Sequence, residues 1–226
     1  LANFEKKGFS MDFQDTLRHQ GLRKLLVEGI RIKGIKDEKV LAAIGKVPRH
    51  LFMDSSFTQF AYKDQAFPIG AGQTISQPYT VAMQTQLLQI ERFDKILEVG
   101  TGSGYQAAVL LEMGATVYTI ERQRELYLKT QAILPQIGYN PKFFYGDGYK
   151  GLPTYGPFDK IIITAGAPSI PEDLLTQLKV GGRMVVPMGP REKQTMYVVV
   201  KSSETEYYKE SHGTFVFVPM LKGVDK

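Results

Sequence analysis

The sequence predicts an α/β fold: a mostly parallel, doubly wound sheet with an antiparallel C-terminal edge, preceded by N-terminal helices. Three observations carry that reading. From Lys95 onward, apolar runs of strand length alternate with helical patterns, the signature of βαβ units. The run DKIIIT at 159–164 is short and continuously apolar, as in a strand buried on both faces. Two β-rich runs, 196–201 and 214–219, are separated by polar residues and pair most simply as an antiparallel hairpin.

The elements follow in order. A helix is expected from Asp12 to about Gly29 and a second over 37–47, closed by Pro48. Their apolar stripe is Phe13, Leu17, Leu25 and Leu26, then Val40, Leu41 and Ile44. The segment 49–79 is helix-poor and rich in Gly, Pro, Gln and aromatics, and a helical run over 80–88 follows. Strand one is 95–99, and its helix over 105–113 stops at Gly114. Strand two is 115–120, followed by a helix over 124–137 and a short strand at 143–145. After the fourth strand, 159–164, come a helix over 171–178 and a fifth strand over 182–187.

A chain of 226 residues suits one domain, here 12–226, with an N-terminal arm at 1–11 that carries no motif. Within it, 12–79 reads as helices and a loop, and 80–226 as the α/β core. No run approaches the ~18 apolar residues of a membrane helix, and the N-terminus lacks the apolar centre of a signal peptide. A cytoplasmic protein is the expectation, a monomer with a homodimer left open. The chain holds no cysteine, which excludes disulfides and a cysteine nucleophile. Its whole +5 excess lies in the first fifty residues, where bases alternate with acids along amphipathic helices. That is the pattern of solvated faces, so no stable nucleic-acid partner is expected. The histidines have no metal-ligand spacing, and no metal is expected; His19 and His212 read as surface residues and His50 as a structural one.

The motif richest in chemistry is ILEVGTGSGYQA at 96–107, a strand that ends on Glu98 and breaks into Gly100, Gly102 and Gly104 around Thr101 and Ser103. Alternating glycines let the backbone turn and approach a ligand closely. A nicotinamide site places pyrophosphate on a helix N-terminus after G-x-G-x-x-G and tolerates no adjacent carboxylate. The G-x-G-x-G spacing with an acid two residues upstream fits a cationic, phosphate-free ligand instead. S-adenosylmethionine is such a ligand, with an ammonium and a sulfonium. Glu121, at the end of strand two, can accept from both ribose hydroxyls, a feature that alone does not separate the two cofactors. Asp147, between Gly146 and Gly148 after the third strand, can accept from an adenine amino group. Three acids at three successive strand ends favour S-adenosylmethionine.

The segment AFPIGAGQTISQPY at 66–79 carries Gln73, Thr74, Ser76 and Gln77 just ahead of the glycine loop; its composition suits an ordinary loop and a site equally. Together with VPRHLFM at 47, AYKDQAFPIG at 61, GQTISQP at 72, VYTIER at 117, GDG at 146 and LKVGGRMVVPMG at 178, the chain from about Asp12 resembles the bacterial form of the protein-L-isoaspartate O-methyltransferase family. GQTISQP is specific to that family, whereas the glycine loop is shared with many methyltransferases.

The resemblance implies a Rossmann-like S-adenosylmethionine-dependent methyltransferase sheet and repair of damaged protein. The methyl group goes to the free α-carboxylate of L-isoaspartyl residues, less well to D-aspartyl ones, leaving S-adenosylhomocysteine. Ser76 takes the catalytic position, and Thr74, Ile75, Ser76 and Gln77 line the substrate. Glu98, Gly100, Thr101, Gly102, Ser103, Gly104, Glu121, Arg122, Asp147 and Gly148 fall on cofactor positions. Some relatives place a cofactor-contacting Thr in the C-terminal strand; Leu221 stands near that place and has no hydroxyl. Other readings are a small-molecule O-methyltransferase, a nucleic-acid methyltransferase and a non-catalytic cofactor-binding module. An amino-methylating nucleic-acid enzyme would carry Asn or Asp before Pro-Pro-aromatic after strand four, where this chain has TAGAP, and a binding module would lose the hydroxyl loop.

Overall fold

The computed structural model describes residues 14–225. Two helices, α1 (Leu17–Ile32) and α2 (Glu38–Lys46), lead through short 3-10 turns to a hairpin of β1 (Phe67–Gly70) and β2 (Gln73–Ile75). Then come α3 (Pro78–Leu88), β3 (Lys95–Val99), α4 (Tyr105–Glu112), β4 (Thr116–Glu121), α5 (Arg124–Ile133) and β5 (Lys142–Tyr145). The chain ends with β6 (Phe158–Ile163), α6 (Glu172–Thr176), β7 (Leu178–Met188), β8 (Gln194–Lys201) and β9 (Tyr207–Phe215). The main sheet runs β5-β4-β3-β6-β7-β8-β9. Strands β3 to β7 are parallel, and β8 and β9 add an antiparallel edge. Strand order reverses between β3 and β6, which opens a crevice at their carboxyl ends.

The middle strands are apolar on both sides because helices cover both faces. Ile162 packs with Ile96, Val117, Leu88 and Leu110 beneath α3 and α4. Its neighbours Ile161 and Ile163 pack with Leu97, Tyr118 and Leu174 on the α6 side. A buried acid interrupts this core: Glu98 is paired in register with Thr119 on one side and Ile162 on the other and is fully inaccessible. Its Oε2 accepts from Thr119 Oγ1 at 2.5 Å. Burial pushes its carboxyl up to about 8.

Several boundaries differ from the sequence reading. Asp12 and Phe13, where the first helix was expected to begin, lie outside the described residues; α1 begins at Leu17, after Thr16 accepts from the His19 N–H. Leu17 and Leu25 are exposed, so the buried stripe of α1 runs through Leu26 and Ile30. Arg23, expected on a solvated face, is buried. It donates to Gly45 O at 2.8 Å, to both Asp15 carboxylate oxygens and to Tyr62. His19 stacks on His50 with ring centroids 3.8 Å apart, and His50 is hydrogen bonded to Tyr62 and Gln14 O. Asp15, His19 and His50 thus offer metal-ligand atoms within 4.8 Å of one another, but Arg23 holds the Asp15 carboxylate and both His50 nitrogens are engaged. The cluster anchors α1 to the segment after α2.

The hairpin β1–β2 was not expected in the helix-poor segment, because neither strand alternates over enough residues to be read. The helix expected over 171–178 is the single turn of α6, and Leu178 already belongs to β7, whose pairing with β6 shifts between Phe158 and Lys160. The last strand is also displaced: β9 is the polar run YYKESHGTF, and the chain leaves the sheet after Phe215. An edge strand needs no apolar face, so its pattern resembles a loop. The apolar residues at 216–219 serve the crevice instead.

Replacing Ile162 by Ala should lower unfolding free energy by about 2–5 kcal/mol, read as a reduced denaturation midpoint. Glu98 gives a pH signature. Its folded-state pKa is raised above the ordinary 4.5, so its contribution is fully present below that value, declines as pH rises and levels off above about 8. Glu98→Gln cannot ionise, and the stability difference between variant and parent should therefore grow by a few kcal/mol between these limits in the variant's favour. Denaturant midpoints at pH 5 and pH 8 check this; a pH-independent difference refutes it.

Candidate active site

The crevice is built from the ends of β3, β4 and β6. After Val99 the backbone turns through Gly100, Gly102 and Gly104, all at positive φ. Two of these glycines are needed by the protein itself: a Cβ on Gly100 would collide with Thr164 Oγ1, and one on Gly104 would lie 2.7 Å from Leu134. Gly102 faces the cleft. Thr164 Oγ1 donates to Gly100 O at 2.7 Å, and Thr130 Oγ1 donates to Gly102 O at 2.7 Å. The loop is held from β6 and α5 at once.

Glu121 closes the arrangement from β4. Its Oε2 accepts from Gly102 N at 2.9 Å, and its Oε1 accepts from Gln123 N at 2.8 Å. Each carboxylate oxygen has a second lone pair, and Glu121 lines the cleft. Gly100, Thr101, Gly102, Ser103, Arg122 and Gly148 line it as well.

The other two expected acids also serve the fold. Glu98 does not line the cleft; it lies beneath the loop, connected to the lining residue Thr101 through Thr119, whose hydroxyl is 2.6 Å from Thr101 Oγ1. Asp147 precedes the lining residue Gly148, and its oxygens accept from Tyr149 N at 2.9 Å and Gly223 N at 2.8 Å. It ties the GDG turn to the C-terminal segment and leaves Gly148 at the cleft. Gly104 caps α4 behind the lining.

The opposite wall comes from β2 and the residues after it. Thr74, Ile75 and Ser76 line the cleft, and Ile75 is buried in the core. Thr74 and Ser76 also border an adjoining groove of about 720 Å³, within the ~300–1,000 Å³ of ligand pockets; Gln77 lines only this groove. Gln77 donates to Asp64, which accepts from Tyr79 N at 2.8 Å and pairs with Lys33. Asp64 therefore fixes the loop onto the start of α3. Sequence reasoning missed it, as it missed Tyr105, Gln106 and the residues 218–220, which line the cleft. Only a contact map separates such residues from ordinary core. Leu221 lines the cleft and offers it a hydrocarbon side chain.

The family model described as protein-L-isoaspartate(D-aspartate) O-methyltransferase matches residues 21–225. The chain is 61% identical over 210 residues to the protein-L-isoaspartate O-methyltransferase of Christiangramia forsetii, a match covering 92% of this chain and 98% of that protein. It is 57% identical, with the same coverage, to the enzyme of that name from Flavobacterium johnsoniae. A solved protein-L-isoaspartate O-methyltransferase superposes with a TM-score of 0.78 at 27% identity, over 87% of this chain and 65% of that one. A Plasmodium falciparum structure described as a putative protein-L-isoaspartate O-methyltransferase in complex with S-adenosyl-L-homocysteine has the same fold, with a TM-score of 0.77 at 24% identity over 88% of this chain and 98% of that one. With nearly its whole length matched, the chain belongs to the protein-L-isoaspartate(D-aspartate) O-methyltransferase family.

Proposed function

We propose that this chain transfers a methyl group from S-adenosylmethionine to the free α-carboxylate of L-isoaspartyl residues, and less well of D-aspartyl residues, in damaged proteins and peptides. The carrying observation is that Thr74 and Ser76 border both the cleft of the glycine loop and the open groove beside it. A polypeptide lying in the groove can present a side group to the cleft past those two hydroxyls. The same reading expects a cytoplasmic protein, a monomer or a homodimer.

The cleft fits the cofactor better than it fits a dinucleotide. The Gly102 N–H, which a pyrophosphate would require, is already bound by the Glu121 carboxylate. In this reading the remaining lone pairs of Glu121 accept from ribose hydroxyls, and the lining residues 100–103, Arg122 and Gly148 support it by sharing the cleft. When bound, S-adenosylmethionine supplies a methyl group carried on a sulfonium. The acceptor needs no base, because an α-carboxyl with a pKa of ~3.3–3.7 is already ionised at neutral pH. The work left to the protein is alignment of the acceptor oxygen, and Ser76 and Thr74 perform it by donating to the carboxylate. Among the described residues no histidine or carboxylate is hydrogen bonded to the Ser76 hydroxyl, so Ser76 orients and does not attack.

Labelled methyl transfer to an isoaspartyl peptide, compared with its aspartyl twin, tRNA and a catechol, tests the assignment directly. Only the isoaspartyl peptide should be labelled, and labelling of tRNA or catechol would overturn it. Ser76→Ala should lower kcat/KM about 10- to 100-fold, the loss of one hydrogen bond to a charged group of about 1.5–3 kcal/mol, and cofactor affinity should hold. Full retention of activity would remove Ser76 from the site. Glu121→Ala should weaken S-adenosylhomocysteine binding by about 10- to 100-fold in calorimetric titration, and unchanged affinity in a folded variant would contradict its role.

A further inference from the structure

The groove beside Ser76 has a single formal charge on its walls. Its other lining residues are small, hydroxylic, amide or apolar, among them Gly72, Gln77, Thr80, Thr214 and Phe217; the exception is Arg191, in the turn between β7 and β8. Arg191 is exposed, and its guanidinium enters no ion pair or side-chain hydrogen bond among the described residues. Asp64, which Gln77 of the groove contacts, is already paired with Lys33, and the neighbouring Glu192 does not line the groove and makes no ion pair with Arg191 among the described residues.

The turn that carries Arg191 is fixed. Gln194 is buried, and its Nε2 donates to Arg191 O at 3.0 Å and to Pro190 O. Its Oε1 accepts from Phe217 N at 2.8 Å, on the facing wall of the groove. One buried amide thus sets the distance between the arginine turn and the wall. The turn is held through its backbone, and the guanidinium it carries stands free of an ion pair in an otherwise neutral groove, where it can receive an anion.

That anion is not the acceptor carboxylate. Arg191 lines the groove and is absent from the cleft that holds the glycine loop. A guanidinium on the reacting carboxylate would also draw electron density from the oxygen that must attack. We propose that Arg191 is a specificity-determining residue that favours peptide substrates carrying an acidic side chain close to the isoaspartyl residue. This rests on the substrate reading given above.

The test uses otherwise neutral isoaspartyl peptides with Glu, Gln or Lys placed one to three residues away on either side. Steady-state methyl transfer separates kcat from KM. On one side at least, the parent enzyme should favour Glu over Gln by up to about 5-fold in kcat/KM, through KM, as suits an exposed ion pair, and the ratio should shrink with added salt. Arg191→Ala should bring the ratio to one, and Arg191→Glu should turn the preference toward Lys peptides. A parent ratio of one on both sides, or a preference that survives in Arg191→Ala, overturns the proposal. Failure of the parent enzyme to methylate the Gln peptides at all would be a failure of the substrate reading, distinct from either.

Discussion

The clamp between Glu121 and the glycine loop is the interaction on which the rest of the site depends. One carboxylate at the end of β4 accepts from Gly102 N and from Gln123 N, so it fixes both the turn after β3 and its own departure from the sheet. Charge-assisted bonds of this kind are stronger than neutral ones, and here they satisfy backbone groups at a strand end where no ladder partner exists. The loop is secured again by Thr164 from β6 and Thr130 from α5. Groups from β4, α5 and the end of β6 therefore meet at the five residues that follow β3. The floor of the cleft is shared between them.

Below that floor, Glu98, Thr119 and Thr101 form a hydrogen-bonded line from the middle of the sheet to the cleft wall. An acid in this position is costly where the surroundings are apolar, and its raised pKa expresses the cost. Its reach to a ligand passes through two hydroxyls and not through direct contact. The acid of the glycine motif and the acid of the next strand thus differ in kind: one is buried beneath the site, the other forms its surface.

Much of this was legible in the sequence. Alternation from Lys95 gave the parallel sheet, the apolar run at Ile161–Ile163 marked the doubly covered strand, and the glycines marked the crevice. A strand end can be read from periodicity, but the direction of a side chain at that end cannot. That is why Glu98 was read as a direct ligand group although the structure buries it on Thr119, and why the bonds of Asp147 to Tyr149 N and Gly223 N were not foreseen. Arg23 escaped for a related reason: its partners Asp15, Gly45 and Tyr62 come from three separate segments, and charge alone resembles solvent exposure. Strand β9 escaped because an edge has one neighbour and no buried face to impose alternation.

The composition of β9 has a consequence for how the molecule behaves at high concentration. Its outer side presents unpaired backbone N–H and C=O groups, a template on which another extended chain could assemble. The strand carries Lys209, Glu210 and His212, has Gly213 at a φ of 80°, and its pairing with β8 slips between Thr195 and Tyr197. Charges of both signs and a break in register make an approaching strand lose its own alignment within a few residues. The same polarity that hides β9 from a periodicity search protects this open end of a seven-stranded sheet against edge-to-edge growth into fibrils.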